Sequence, residues 1–594
     1  MTRFPNLALT LACAALPLAP AHAGFEEALP AETLAYVGVD DVTVLKEGFQ
    51  ASAWGRFLKD QAFQSFQDWL SNEMADLGAQ AKEETGTDPF ELLKLVEGPA
   101  GVFLLDVADP ERTSVDGGEV PVAIGVLLGL GENGDAFLDK FDTLWQAEVD
   151  DGNVLLGSEE IAGVEVTLVT DADENADNPM EMRYGVKDGT FVLTMISAAL
   201  ADRAFFESIC AGLDGLVEET LDQTDAYASS IAAQGAGTVR GFANVREIVR
   251  RAVASAEKEG RMGPDERKLF DSFGFADLGT AALVADVAAG GSRTDFELTW
   301  SGQGHLAEML QSVFGPAELV TPQYVPADSV SMTAFRFDLG KGIDAAMRIM
   351  RELEPDDAAE AEAMMEMFFE QEGFNVRTDV IDNLAGEVSF FQAKVDDEME
   401  ALPGTEEDPV SVAILLPMTD GTKLEVAIDT LLRQTGMHAT RRRDEFQGVA
   451  VFNVPFPLFG SGIHYTIASD LLVLSLSRSL LEDVLRRHGG ADLPTVATSD
   501  AWVQATELLD GRAPTSIGFQ DAAESVKGML EALNVLASGE IPGVSVGGAP
   551  ARSPERPIPF DVPDPELAYD YFEGTSVSVL RIHESGVRII MTGP

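Results

Sequence analysis

The sequence predicts an α+β protein made of two homologous copies, each of mainly antiparallel sheet with helices packed on one face. Three observations lead there. Matching segments recur in unbroken order at separations of 277 to 296 residues, as two diverged copies with loop insertions would. Short alternating apolar runs follow one another with too little chain between them for parallel crossovers. Amphipathic stretches with helical spacing lie between those runs.

Residues 1–23 precede the fold. Arg3 supplies a positive charge, 7–18 form an apolar stretch, and Ala21-His22-Ala23 is a small-residue cleavage signature. A signal peptide cut near Ala23 is expected, which places the mature protein in the periplasm or outside the cell. Copy one then runs over 24–315 and copy two over 316–594. Alternation predicts a strand over 33–39, and Asp40 or Asp41 offers an N-cap to the helical region after it. Phe57, Phe63, Phe66, Trp69 and Leu70 give that region an apolar stripe. Strands are expected at 101–107 and 121–130, a helix at 135–147, a hairpin of 163–170 with 182–196, and a helix over 198–213. The copy closes with a strand at 237–242, a helix at 244–257 and strands at 280–288 and 293–300.

Copy two carries the matches. Leu29-Pro30 corresponds to Val325-Pro326, 121–128 to 409–416, and Asp142-Thr143-Leu144 to Asp429-Thr430-Leu431. Tyr184 to Asp202 aligns without gaps on Tyr465 to Asp483, and Gly241-Phe242 on Gly518-Phe519. Residues 108–119 and 396–408 are acidic loops at the same place in each copy. Residues 541–567 have no counterpart, and their Gly and Pro content predicts a long flexible insertion.

The segments Leu29-Pro30-Ala31-Glu32-Thr33, Ser52-Ala53-Trp54-Gly55-Arg56-Phe57 and Val325-Pro326-Ala327-Asp328-Ser329 resemble an exported bacterial family catalogued as domain of unknown function 3352. That resemblance implies an envelope or extracellular setting. It implies no reaction and no catalytic residue.

The 594 residues hold 100 Asp+Glu against 40 Lys+Arg, a net charge of −60. Such a field repels phosphate backbones, so nucleic acid is not an expected partner. Two cysteines and six histidines are too few for a disulfide framework or a cysteine-rich zinc protein. Cys210 lies on an apolar helical face and reads as a small buried hydrophobe. Beyond the leader no apolar run is long enough for a transmembrane span.

Four motifs carry candidate chemistry. Gly129-Leu130-Gly131-Glu132-Asn133-Gly134 fits the dinucleotide pattern, but copy two keeps one of its glycines and no βα unit follows, so no cofactor is expected. Gly543-Val544-Ser545-Val546-Gly547 fits a nucleophile elbow with His583 downstream, although the Pro-rich residues after it cannot form the required helix. Ser545 and His583 are the catalytic candidates. Asp171, Asp173, Asn175 and Asp177 space oxygen ligands for Ca²⁺, yet Ala176 and Met182 replace the turn glycine and the bidentate glutamate of an EF-hand. Ser255-Ala256-Glu257-Lys258 matches an acylating serine–lysine motif without its partner elements. Arg441-Arg442-Arg443 is expected to pair with nearby carboxylates.

The functional expectation is an exported, non-enzymatic envelope protein that acts as a binding, scaffold or assembly component with an envelope or extracellular protein partner. The alternatives are an exported hydrolase using Ser545 or a carboxylate pair, and a carrier holding an apolar ligand between the copies.

Overall fold

Two-residue turns close several hairpins, and the backbone shows why glycine ends them. Ala162-Gly163, Asp188-Gly189 and Gln447-Gly448 all have positive φ at both positions, the left-handed pair that matches strand twist. The computed structural model describes residues 24–594 apart from 108–121, 173–179, 198–202, 236, 259, 303, 372–373, 396–409, 456–461, 539, 547–548 and 553–557. The expected signal peptide and both acidic loops therefore lie outside the described residues.

The first half supplies β1 (Ala35–Val39), β2 (Ala100–Val107), β3 (Val122–Gly129), β4 (Val154–Ile161) and β5 (Val164–Asp171). It continues with β6 (Met180–Lys187), β7 (Thr190–Ser197), β8 (Val239–Ala243), β9 (Leu278–Ala288) and β10 (Gly291–Trp300). The second half supplies β11 (Ser331–Arg336), β12 (Glu387–Lys394), β13 (Val410–Pro417), β14 (Arg442–Phe446) and β15 (Val449–Pro455). Then come β16 (Gly462–Ala468), β17 (Leu471–Ser475), β18 (Ser516–Asp521), β19 (Thr575–His583) and β20 (Gly586–Gly593).

These form one 20-stranded sheet. Its order across the first half is β4-β5-β6-β7-β3-β2-β1-β8-β9-β10, all antiparallel. β10 then pairs with β20, and the order continues β20-β19-β18-β11-β12-β13-β17-β16-β15-β14. Each strand of the second half thus occupies the place of the strand numbered ten lower. Local details repeat too. Pro30 bridges Thr220 as Pro326 bridges Thr495, and the Thr33 and Ser329 hydroxyls donate to the Pro30 and Pro326 carbonyls at 2.7 and 2.8 Å.

Helices cover both faces of the sheet, not one. Phe191 and Leu193 of β7 pack with Phe137, Phe141 and Leu144 of helix Gly134–Asp150. Val192 and Ile196 of the same strand face Phe206 and Ile209 of helix Arg203–Leu213 on the other side. The reason is visible in β3 and β7: consecutive residues are buried, so no face is left for water and both need a cover. The expected single arm 182–196 is two strands, β6 and β7, because Asp188-Gly189 turns the chain.

The halves also share side-chain cores. Ala53, Phe57 and Phe63 from the first half pack with Ala523, Val526, Leu530 and Phe572 from the second, and Trp300 and Ala307 pack with Ile582. The far end of 541–567 is anchored in this junction. The Phe560 ring lies 4.9 Å from Phe66 and 5.3 Å from Trp69, and the Asp561 N–H donates to the Ser65 hydroxyl at 3.1 Å.

Candidate functional site

The seam between β10 and β20 places Asp295 opposite Ile590. Asp295 is only 1% exposed, and a carboxylate that deep needs a cation. Arg588 supplies it, donating from Nε at 2.9 Å and Nη2 at 2.7 Å; Arg293 adds Nη2 at 3.1 Å. The Arg588 guanidinium also donates to the Ala233 carbonyl at 2.9 Å. One half's acid is therefore held by the other half's arginine.

Over this pair opens a groove of about 850 Å³ lined by Glu297, Arg512, Arg581, His583, Ser585 and Arg588. Strand alternation puts Arg581 and His583 on one face of β19, and β20 brings Arg588 opposite Arg581. Arg512 arrives from the chain after helix Asp500–Leu508. Asp510 and Glu584 stand at the exposed margin.

Among the described residues, neither Arg512 nor Arg581 has a carboxylate within ion-pair distance, and the buried Nε of Arg581 has no hydrogen-bond partner. Burial, with Arg512 and Arg588 nearby, lowers the Arg581 pKa against the opposing pull of Glu297. His583 is held below its ordinary value by burial and then by Arg581, Arg512 and Arg588. Burial raises the Glu297 carboxyl, while Arg588 pulls it down. The field at Arg581 and His583 is thus cationic inside a chain of net charge −60.

His583 Nδ1 lies 3.1 Å from the Ser585 hydroxyl, and Nε2 lies 3.7 Å from Glu297 Oε1, beyond hydrogen-bond range. Of the two catalytic candidates, His583 is in the groove. Ser545 lies in strand Glu540–Val546, opposite Pro550 of strand Ala549–Arg552. A strand follows it where a nucleophile elbow needs a helix. Asp171 ends β5 opposite Val154, while Asp173, Asn175 and Asp177 lie outside the described residues. No group of His, Cys, Asp and Glu fit to hold a metal occurs among the described residues.

The Gly129–Gly134 turn does join a strand to a helix, but β3 runs antiparallel to both neighbours. Its glycines answer to packing: a Cβ on Gly129 would lie 2.9 Å from the Gly98 Cα, and one on Gly134 2.9 Å from Val186. Cys210 is buried, and burial pushes its thiol up to about 11. Arg441 pairs with Asp429 at 2.8 Å and covers the Phe452 ring. Ser255 is buried on helix Val245–Lys258.

Arg512, Arg581 and Arg588 were not singled out in the sequence. The signal in the sequence was Arg581-Ile582-His583, a guanidinium and an imidazole at alternate positions of an apolar strand.

No family model and no curated protein matches the chain. Among solved structures it is similar to TP0453 in crystal form III, at 8% identity and a TM-score of 0.23, over 50% of this chain and 88% of that one. A likeness of that size carries no argument about fold or function. Among the described residues no helix is long and apolar enough to cross a membrane.

Proposed function

We propose that the protein is an exported, non-enzymatic envelope component built from two homologous copies, and that it works by stoichiometric binding at the seam where they join. The observation that carries this reading is the β10–β20 pairing, which makes one sheet of two like-ordered halves and places a large polar groove over the Asp295–Arg588 pair. The repeated strand order and the repeated proline bridges support the duplication. The leader sequence supports export. A groove lined by charged groups supports a polar ligand over an apolar one carried between the copies.

A second reading is favoured by one observation: in the groove the Ser585 hydroxyl lies 3.1 Å from His583 Nδ1, with Glu297 3.7 Å from the other ring nitrogen. A serine hydrolase would use His583 as base and arginine to stabilise developing negative charge. The test is a screen of the intact chain against ester and phosphoester substrates, beside capture of partners from an envelope extract. Binding without turnover supports the proposal. Turnover lost in both Ser585→Ala and His583→Ala would replace it with the hydrolase.

A further inference from the structure

We propose that the seam groove is an oxyanion site, taking a small molecule that presents phosphate or carboxylate groups to Arg512, Arg581 and Arg588. This names the ligand of the groove in the binding role proposed above. Three features carry it.

The first is the lack of internal partners. Among the described residues neither Arg512 nor Arg581 has a carboxylate within ion-pair distance, and the two converge on one cavity. A guanidinium presents a planar fork of donors suited to phosphate or carboxylate. The Arg581 Nε is buried without a partner, so the fold leaves this guanidinium incompletely satisfied.

The second is that the fold does not require the cluster. Hairpin β9–β10 closes at Ala288 and Gly291, and hairpin β19–β20 closes at His583 and Gly586. Counted from those closing pairs, Asp286 occupies in the first half the place of Arg581, and Ala288 that of His583. The first-half hairpin borders a smaller cavity of about 450 Å³ containing Asp286 and Arg293. The same scaffold therefore tolerates the opposite charge at the same position.

The third is size. About 850 Å³ falls in the range that holds a metabolite-sized ligand. Glu297, which lies across from Arg588, and the more exposed Asp510 and Glu584 also line the cavity.

The test is equilibrium dialysis of the intact chain with inorganic phosphate and with citrate, at fixed ionic strength set by NaCl. A parallel arm uses vesicles of phosphatidylglycerol in phosphatidylcholine against pure phosphatidylcholine, to separate a free solute from a lipid headgroup. Saturable binding of either anion source is expected. It should weaken about tenfold or more in Arg512→Gln/Arg581→Gln, given the strength of charged hydrogen bonds. That variant should melt no lower than the parent without anion, since it removes unpaired like charges. Absence of saturable binding in every arm, or equal binding by the double variant, overturns the site. Neither result bears on turnover, so failure here is distinct from failure of the non-enzymatic reading.

Discussion

Replacing Asp295 by alanine should be among the most damaging single changes in the chain. The carboxylate accepts two charged hydrogen bonds from Arg588, each worth about 1.5–3 kcal/mol. The contact with half-exposed Arg293 adds under about 1 kcal/mol. Removal also leaves Arg588 beside Arg581 and Arg512 with Glu297 and the more distant Asp510 as its remaining counter-charges among the described residues. A loss of about 3–5 kcal/mol follows, the usual cost of breaking a buried pair by deleting one partner. Asp295→Asn keeps the shape and one acceptor and should lose about half as much. Arg588→Met alone should cost about as much as Asp295→Ala, whereas Asp295→Leu/Arg588→Met should recover most of it. The assay is equilibrium urea unfolding followed by far-UV and tryptophan signals. A loss below about 1 kcal/mol for Asp295→Ala, or additive single and double variants, would refute the view that this pair locks the two halves.

Phe57→Ala should cost about 3–5 kcal/mol, because the ring is fully buried and lies 5.0 Å from Phe572 of the other half; an unchanged melting temperature contradicts a shared core. For the same reason 24–315 and 316–594 made separately should each be less stable than the whole and should bind one another when mixed. The pH dependence has a defined sign. Burial raises Asp40 to about 6, with Arg240 opposing, so the folded state holds a proton that the unfolded state has released. Stability contributed by that proton is present below about 4 and is lost as pH rises through about 6, by at most about 3 kcal/mol. Glu247, lowered to about 2 chiefly by Arg250, acts in the other direction and only below about 4.5. Asp40→Asn should flatten the curve between pH 4 and 6, and superimposable curves would count against the assignment. Raising NaCl from 0.1 to 1 M should raise the melting temperature, as screening shortens from about 10 to about 3 Å around a −60 chain; a fall would contradict self-repulsion.

Much of the sheet was legible in the sequence, because alternation and left-handed turn residues are local signals. β1, β2, β3, β8, β9 and β10 fall within a few residues of their expected positions, and Asp41 caps its helix as expected by accepting from the Thr43 N–H at 2.7 Å. The mixed α and antiparallel β class was legible for the same reason. What was lost depended on distance along the chain. β4 was missed because its exposed Leu155 and Leu156 break the alternation. The cover on both faces was missed even though 121–130 read as a continuous apolar run. The insertion read as flexible because nothing in its composition shows that Phe560 meets Phe66 and Trp69. At the site, His583 was marked for a sequence order that places it with Ser545, whereas the fold sets it against Ser585 and three arginines. Those arginines come from two stretches, Arg512 after a helix and the β19–β20 hairpin, whose register brings Arg581 and Arg588 face to face.

Calorimetric titration of citrate or inorganic phosphate into the intact chain at constant ionic strength counts the anion sites directly. The groove with Arg581 should bind and its counterpart with Asp286 should not, so one anion per chain is expected, with no heat of turnover and binding at least about tenfold weaker in Arg512→Gln/Arg581→Gln. Two equivalent sites per chain, or none, would contradict a single anion site at the seam of the two halves.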